Sequence, residues 1–188
     1  VHSMHTIHTM KSMINQRIHI APVGFEIDRI VLPAVEMKAD LVYLVVHDNL
    51  STDKAQKYHT EIQKQLKKQK IKTETVYANR FRLFDIIGVV KKLIQENRKD
   101  SFYVNVASGS KIHAIGCMMA CMMFDDRDNI HPFYPQADKY PVYKNNEQQT
   151  YGVKEIHALP TYQLLTPKQD LLEALKIIKE HDGRIQKK

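Results

Sequence analysis

Tryptophan is absent, glycine is scarce at six residues, and cysteine occurs only twice in the 188-residue chain. So few cysteines build no disulfide framework of the kind that stabilises small secreted domains. Cys117 and Cys121 lie four apart in an apolar, helical-looking segment. Helix geometry holds such a pair too far apart for a good bridge, so a reducing cytoplasm is the expected compartment. No apolar run reaches the ~18 residues of a membrane span, and no signal-peptide pattern opens the chain. A partner in the membrane is therefore not expected.

Several nucleotide and metal signatures are also missing. The first glycine turn reads Val-Gly-Phe-Glu-Ile-Asp, so the Gly-x-Gly-x-x-Gly dinucleotide fingerprint fails at its second glycine. No Gly-x-x-x-x-Gly-Lys-Ser/Thr occurs, which excludes a P-loop triphosphatase. No His/Cys cluster has zinc spacing, and no carboxylate cluster suits a catalytic metal. Neither a metal nor a cofactor is expected.

What is present is an ordinary globular composition, 43% hydrophobic and 26% charged, with a net charge of +7. That charge favours an anionic partner such as a nucleotide, although solubility alone explains many such values. Residues 1–16 are polar and rich in His and Met without periodicity, and read as a disordered leader or expression remnant. His2, His5 and His8 are better explained by a loose tail than by metal binding.

From Arg17 onward strands and helices alternate. Strands are expected at 18–23, 41–46, 72–77 and 101–106, with the third nearer an edge, and two more at 129–134 and 151–159. Helices are expected at 25–39, kinked or delayed by Pro33, and at 51–70, capped by Ser51 or Thr52. A third, at 79–98, is buried through Phe84, Ile87, Val90 and Ile94, and a fourth runs from 111 to 124. The alternation implies an α/β Rossmann-like domain over residues 17–160, a mainly parallel sheet with helices on both faces. Residues 161–188 read as a linker and one amphipathic helix with Thr166 as cap, Pro167 first inside, Leu171, Leu172, Leu175 and Ile178 on one face, and Gly183 as stop. One such helix is too little for a domain and suggests the opening of another.

In open α/β sheets ligands lie beyond the carboxyl ends of the strands, so those tips are the places to look. They hold Gly24, Phe25 and Glu26; His47 and Asp48; Arg80; and Asn105 with Ser108, Gly109, Ser110 and Lys111. The last turn is the most informative. Two serines flank a glycine at a helix N-terminus, where N–H groups and the helix dipole favour an anion. Lys111 opposes that dipole, and a bound phosphodiester would resolve the conflict; the alternative is a turn selected for geometry, with Lys111 in solvent. Asn105 either touches ligand or ties the turn to its neighbour. Gly24 allows a tight turn, Phe25 stacks on a base or joins the core, and Glu26 with Asp28 suits a helix start. His47 and Asp48 either touch ligand or make loop hydrogen bonds. Arg80 and Arg82 are better read as solvated than as phosphate ligands.

Strand-Gly24-Phe25-Glu26-helix, with Asn105-Val106-Ala107-Ser108-Gly109-Ser110-Lys111 opening an apolar helix, resembles the CARF domain, the CRISPR-associated Rossmann fold. In that family the second motif commonly reads Asn-x-(Thr/Ser)-Gly-Gly-(Thr/Ser)-Lys, and here Ser108 replaces the first glycine of the pair. The tail is similar to the start of the winged helix-turn-helix found in archaeal CARF-like transcriptional regulators. The resemblance implies a homodimer that binds a cyclic oligoadenylate at paired sites and transmits this to DNA through a C-terminal domain. Gly24, Phe25 and Glu26 would form one wall, and Ser108, Gly109, Ser110 and Lys111 would hold phosphodiesters. The methionines at 118, 119, 122 and 123 would face the second copy. A ligand sensor without chemistry is the leading reading. The alternative is a metal-independent ring nuclease using Ser108, Ser110 and Lys111, with His47 or His113 as base.

Overall fold

In the computed structural model, residues 15–124, 128–141, 148–162 and 169–180 are described. The strands are β1 (Arg17–Pro22), β2 (Leu41–His47), β3 (Lys72–Ala78), β4 (Ser101–Asn105), β5 (Ile130–Gln136) and β6 (Glu155–Ala158). The helices are α1 (Asp28–Glu36), α2 (Gln56–Lys68), α3 (Leu83–Glu96), α4 (Lys111–Met122) and α5 (Gln169–Glu180). The sheet order is β3-β2-β1-β4-β5-β6, parallel through β5 with β6 antiparallel at one edge. This is the Rossmann-like class expected, with β3 at the other edge.

β2 is buried at every position, as an unbroken Leu-Val-Tyr-Leu-Val-Val run requires when both faces of the sheet are covered. Ala21, Val42 and Leu44 pack beneath α1 and α2 through Ile30, Ala34, Ile62 and Leu66. Ile20, Val45 and Phe102 pack beneath α3 and α4 through Ile86, Val90, Cys117 and Ala120. Strand order reverses between β1 and β4, where Ile20 pairs with Val104. The turns after these two strands therefore open side by side at the crevice where such sheets bind ligands.

Four local expectations change. Helix α2 starts at Gln56, and neither Ser51 nor Thr52 caps it. Instead the Asp53 carboxylate takes the Ala55 N–H at 2.9 Å, and Ser51 bonds Asn49. Phe84 is 80% exposed, so α3 is buried through Ile86, Ile87, Val90, Leu93 and Ile94. Pro33 lies inside α1, whose first turn begins only at Asp28. The 151–159 segment forms a strand only at Glu155–Ala158, with Tyr151 in a separate bridge to Lys139. Met118, Met119 and Met123 pack at the margin of the core, while Ile112 and Ile115 are the exposed apolar residues of α4. In α5, Leu171, Leu172 and Leu175 are exposed. The leader up to residue 14, the Thr166-Pro167 cap and the Gly183 stop lie outside the described residues.

Candidate functional site

The two turns at the switch point touch through glycine. A Cβ on Gly24 would lie 2.9 Å from the Gly109 Cα, so its place is dictated by backbone contact between the turns. Gly109 has φ +78, and a Cβ there would also meet Pro22 at 2.8 Å. Only glycine takes that conformation without strain. Because Ser108 is not in the left-handed region, the serine that replaces the resembled motif's first glycine fits the turn.

Asn105 sets the second turn from behind. Its Oδ1 accepts the N–H groups of Ala107 (2.9 Å) and Ser108 (3.2 Å), while its Nδ2 donates to the Arg29 carbonyl at 2.8 Å. Pro33 has no N–H for that carbonyl four residues earlier, so the proline in α1 leaves the acceptor that Asn105 uses. Ser110 then caps α4. His113 N–H donates to Ser110 Oγ (3.3 Å), and Ser110 N–H donates to His113 Nδ1 (3.1 Å). An imidazole nitrogen that accepts carries no proton, so the ring proton of neutral His113 is on Nε2. Burial, with the Arg80 guanidinium and His47 close by, lowers the His113 pKa from 6.5 to about 4.

A cavity of about 230 Å³ opens here, lined by Val23, Gly24, Phe25, Arg80, Gly109, Ser110, His113 and Gln149. Phe25 rests on Tyr58, ring centroids 5.2 Å apart. Arg80 projects from the end of β3 and is held by the buried Asp53 carboxylate. Among the described residues, the Arg80 Nε, His113 Nε2 and Ser108 Oγ are buried without a hydrogen-bond partner.

The expected site residues thus separate. Gly24, Phe25, Gly109 and Ser110 line the cavity, and Ser108 and Asn105 stand behind it. Lys111 is exposed beside it. Glu26 turns inward, accepting from Thr150 Oγ1 at 2.5 Å and facing Arg29 at 3.6 Å. Asp28 accepts the Gly152 N–H at 2.7 Å, and Gln148 caps the start of α1. His47, at the end of the strand between β1 and β3, accepts the Arg80 N–H and contacts Asp48, and neither residue is among those that line the cavity. Arg82 is exposed and pairs with Asp85.

Arg80, Asp53 and Gln149 are the site residues that sequence reasoning undervalued or missed. Arg80 carried a signal, its place just past a strand tip on the ligand-bearing rim. Asp53 and Gln149 carried none, since their partners lie far along the chain. No cluster of three or more potential metal ligands occurs among the described residues.

The family model described as HFX_2341_N:-like, N-terminal, matches residues 17–140, from β1 past the end of β5. The chain belongs to this family. It is 28% identical to the uncharacterized protein MJ1513 of Methanocaldococcus jannaschii, over 86% of this chain and 55% of that protein. The chain thus spans about half the length of the curated relative it matches. Among solved structures, a type III CRISPR defence DNA nuclease activated by cyclic oligoadenylate superposes with TM-score 0.54 and 14% identity, over 66% of this chain and 19% of the nuclease. Can2 of Sulfobacillus thermosulfidooxidans, in complex with cyclic tetra-adenylate, gives 0.53 and 12%, over 65% and 33%. Enterococcus italicus Csm6, bound to cyclic hexa-2′-fluoro-hexa-dAMP, gives 0.55 and 10%, over 90% and 48%. At these identities the likeness is one of fold, and this HFX_2341-like domain has the CARF-like Rossmann fold.

Proposed function

We propose that this HFX_2341-like domain is a ligand sensor that binds a cyclic oligoadenylate across two copies of the chain. The observation that carries the reading is the switch-point cavity, whose lining residues Arg80 and His113 carry donor nitrogens without a partner among the described residues and whose wall holds an aromatic ring. Donors select an acceptor-rich ligand such as a phosphodiester, and an aromatic face suits a base. Proteins of the same fold have been solved with cyclic tetra-adenylate and a cyclic hexanucleotide. A cavity of about 230 Å³ is small for a whole ring, which supports sharing between two copies.

The sensor reading stands ahead of the ring nuclease because His113 is poorly suited to act as a base. Its Nδ1 already accepts an N–H, and its pKa is held at about 4. Cyclic tetra- and hexa-adenylate, titrated against the protein and then analysed for linear products, separate the readings. Binding without turnover supports the sensor, linear products support the nuclease, and no binding of either ring removes this ligand class.

In this reading the protein is a cytoplasmic homodimer. Phe81, 77% exposed, and Phe84 at the start of α3, with the exposed Ile112 and Ile115 on the neighbouring α4, provide apolar surface for the second copy. Sedimentation should show a dimer that Phe84→Lys dissociates. Residues 17–160 form the sensor, and residues 161–188 lead into a winged helix-turn-helix that binds DNA. The exposed leucines of α5 are consistent with a helix that packs in such a unit. Ligand-dependent DNA retention by the longer gene product tests this part.

A further inference from the structure

We propose that Arg80 and His113 form one subsite that grips a phosphoryl group of the ligand, with Asp53 positioning the guanidinium and the Ser110 cap positioning the imidazole. The inference rests on, and deepens, the reading of the cavity as a nucleotide site. It moves the principal cation from Lys111 to Arg80.

Three independent features converge. The cavity lies at the N-terminus of a twelve-residue helix, α4, where the dipole favours an anion. His113, only 3% exposed, lines it, and its proton-bearing Nε2 has no partner among the described residues. A buried imidazole N–H left unsatisfied is costly, and an acceptor from a ligand would remove that cost. Arg80 lines the same cavity, its side chain 20% exposed, and its Nε is buried without a partner among the described residues.

The two groups are fixed by different means. Asp53 also accepts the Ala55 N–H, so the carboxylate that holds Arg80 is itself seated in the turn before α2. Arg80 N–H donates to His47, so both its backbone and its side chain are tied to the loop end of β2. His113 is pinned by its two-way bond with Ser110. With Nδ1 occupied by an N–H donor, the ring offers only a donor to the cavity. The residues that line the cavity include no carboxylate, their acceptor side chains being Gln149 and Ser110, so a guanidinium N–H and an imidazole N–H there suit the oxygens of a phosphate. Lys111 is exposed, does not line the cavity, and on a flexible stem is a poorer grip than a guanidinium already oriented by a carboxylate.

Two measurements test this. Inorganic phosphate titrated into the protein should shift the ¹⁵N signals of Arg80 Nε and His113 Nε2, and Arg80→Gln should abolish the His113 shift. Absence of these shifts in the wild type overturns the inference, whatever the nucleotide result. With cyclic tetra-adenylate, Arg80→Gln should weaken binding about 10- to 100-fold and flatten its salt dependence, because a charge-assisted contact to phosphate is lost. Arg80→Lys should restore the salt slope but not the full affinity. His113→Asn, which keeps the acceptor for Ser110 N–H and removes the distal donor, should weaken binding without changing the slope. A larger loss from Lys111→Ala than from Arg80→Gln overturns the proposal. Unchanged thermal unfolding of each variant excludes a folding effect. If the wild type ignores cyclic tetra-adenylate yet shows the phosphate shifts, the subsite stands and the functional reading falls.

Discussion

The two turns that meet at the switch point are built from similar residue types and do opposite things with them. In the turn after β1, both carboxylates are bonded by the protein, and the Arg29 Nη2 is the one buried polar side-chain atom there without a partner among the described residues. Glu26 serves Thr150 and Arg29, Asp28 serves Gly152, and Gln148 closes the first N–H groups of α1. In the turn after β4, Ser108 Oγ and His113 Nε2 are buried with no partner among the described residues. Polar groups saturated by their own chain hold a structure together; polar groups left open at a cavity await something else. In the proposed reading the carboxylates of the first turn are scaffold, and the second turn is the receptive surface. The strap from Gln148 to Gly152 joins them, since Gln149 lines the cavity while its neighbours fasten to the first turn.

The largest test of that contrast is Glu26→Ala. It leaves Arg29 buried without its carboxylate and should cost about 3 kcal/mol in urea unfolding. If instead stability holds while ligand affinity collapses, Glu26 is a ligand group and the scaffold reading fails. Gly109→Ala forces a left-handed residue against Pro22 and His113 and should cost about 2 kcal/mol.

Acid should act on the receptive turn. The folded pKa of His113, about 4, lies below its ordinary 6.5, so between these values the unfolded chain binds the extra proton. Stability is therefore full above about pH 6.5 and falls as the pH drops toward 4, by about 2 kcal/mol between pH 7 and 5. His19, buried against Tyr103 and Phe133, has its pKa lowered to about 4 as well and adds a similar loss. His113→Asn should remove roughly half of the total loss; urea midpoints at the two pH values measure it, and an unchanged slope would mean that His113 does not titrate in this way. The smallest effects belong to Ser108→Ala and Lys111→Ala. Neither side chain bonds to the described protein; exposed Lys111→Ala should change stability by no more than about 0.5 kcal/mol, and Ser108→Ala, which removes a buried hydroxyl without a partner, should not destabilise the protein. A marked loss for Ser108→Ala would show that its hydroxyl has a structural partner after all.

Much of this was legible beforehand. Unbroken apolar runs marked β2 as a central strand, alternating Thr, Glu and Val marked β3 as an edge, and Ser-Gly-Ser at a helix start marked a turn that lines the cavity. Those signals are local, carried by residues a few positions apart. The errors arose where locality failed. Phe84 was assigned to the core by helical spacing, but spacing gives a face and not what covers it. Ser51 and Thr52 looked like caps, but Asp53 reached the backbone first. Glu26 looked like a ligand wall, but Thr150 was waiting beneath it.

By itself the sequence determined the alternation of strands and helices, the polar turn at the head of α4 and the family motif around it, because each is set by backbone preference within one or two turns of chain. Tertiary structure alone decided which of these groups remain open. Asp53 meets Arg80, Asn105 meets the carbonyl freed by Pro33, and Gly24 meets Gly109 only because strand order reverses between β1 and β4. Pairings across so many residues leave no periodic trace in the chain. They come from the sheet register, which the whole buried core sets at once.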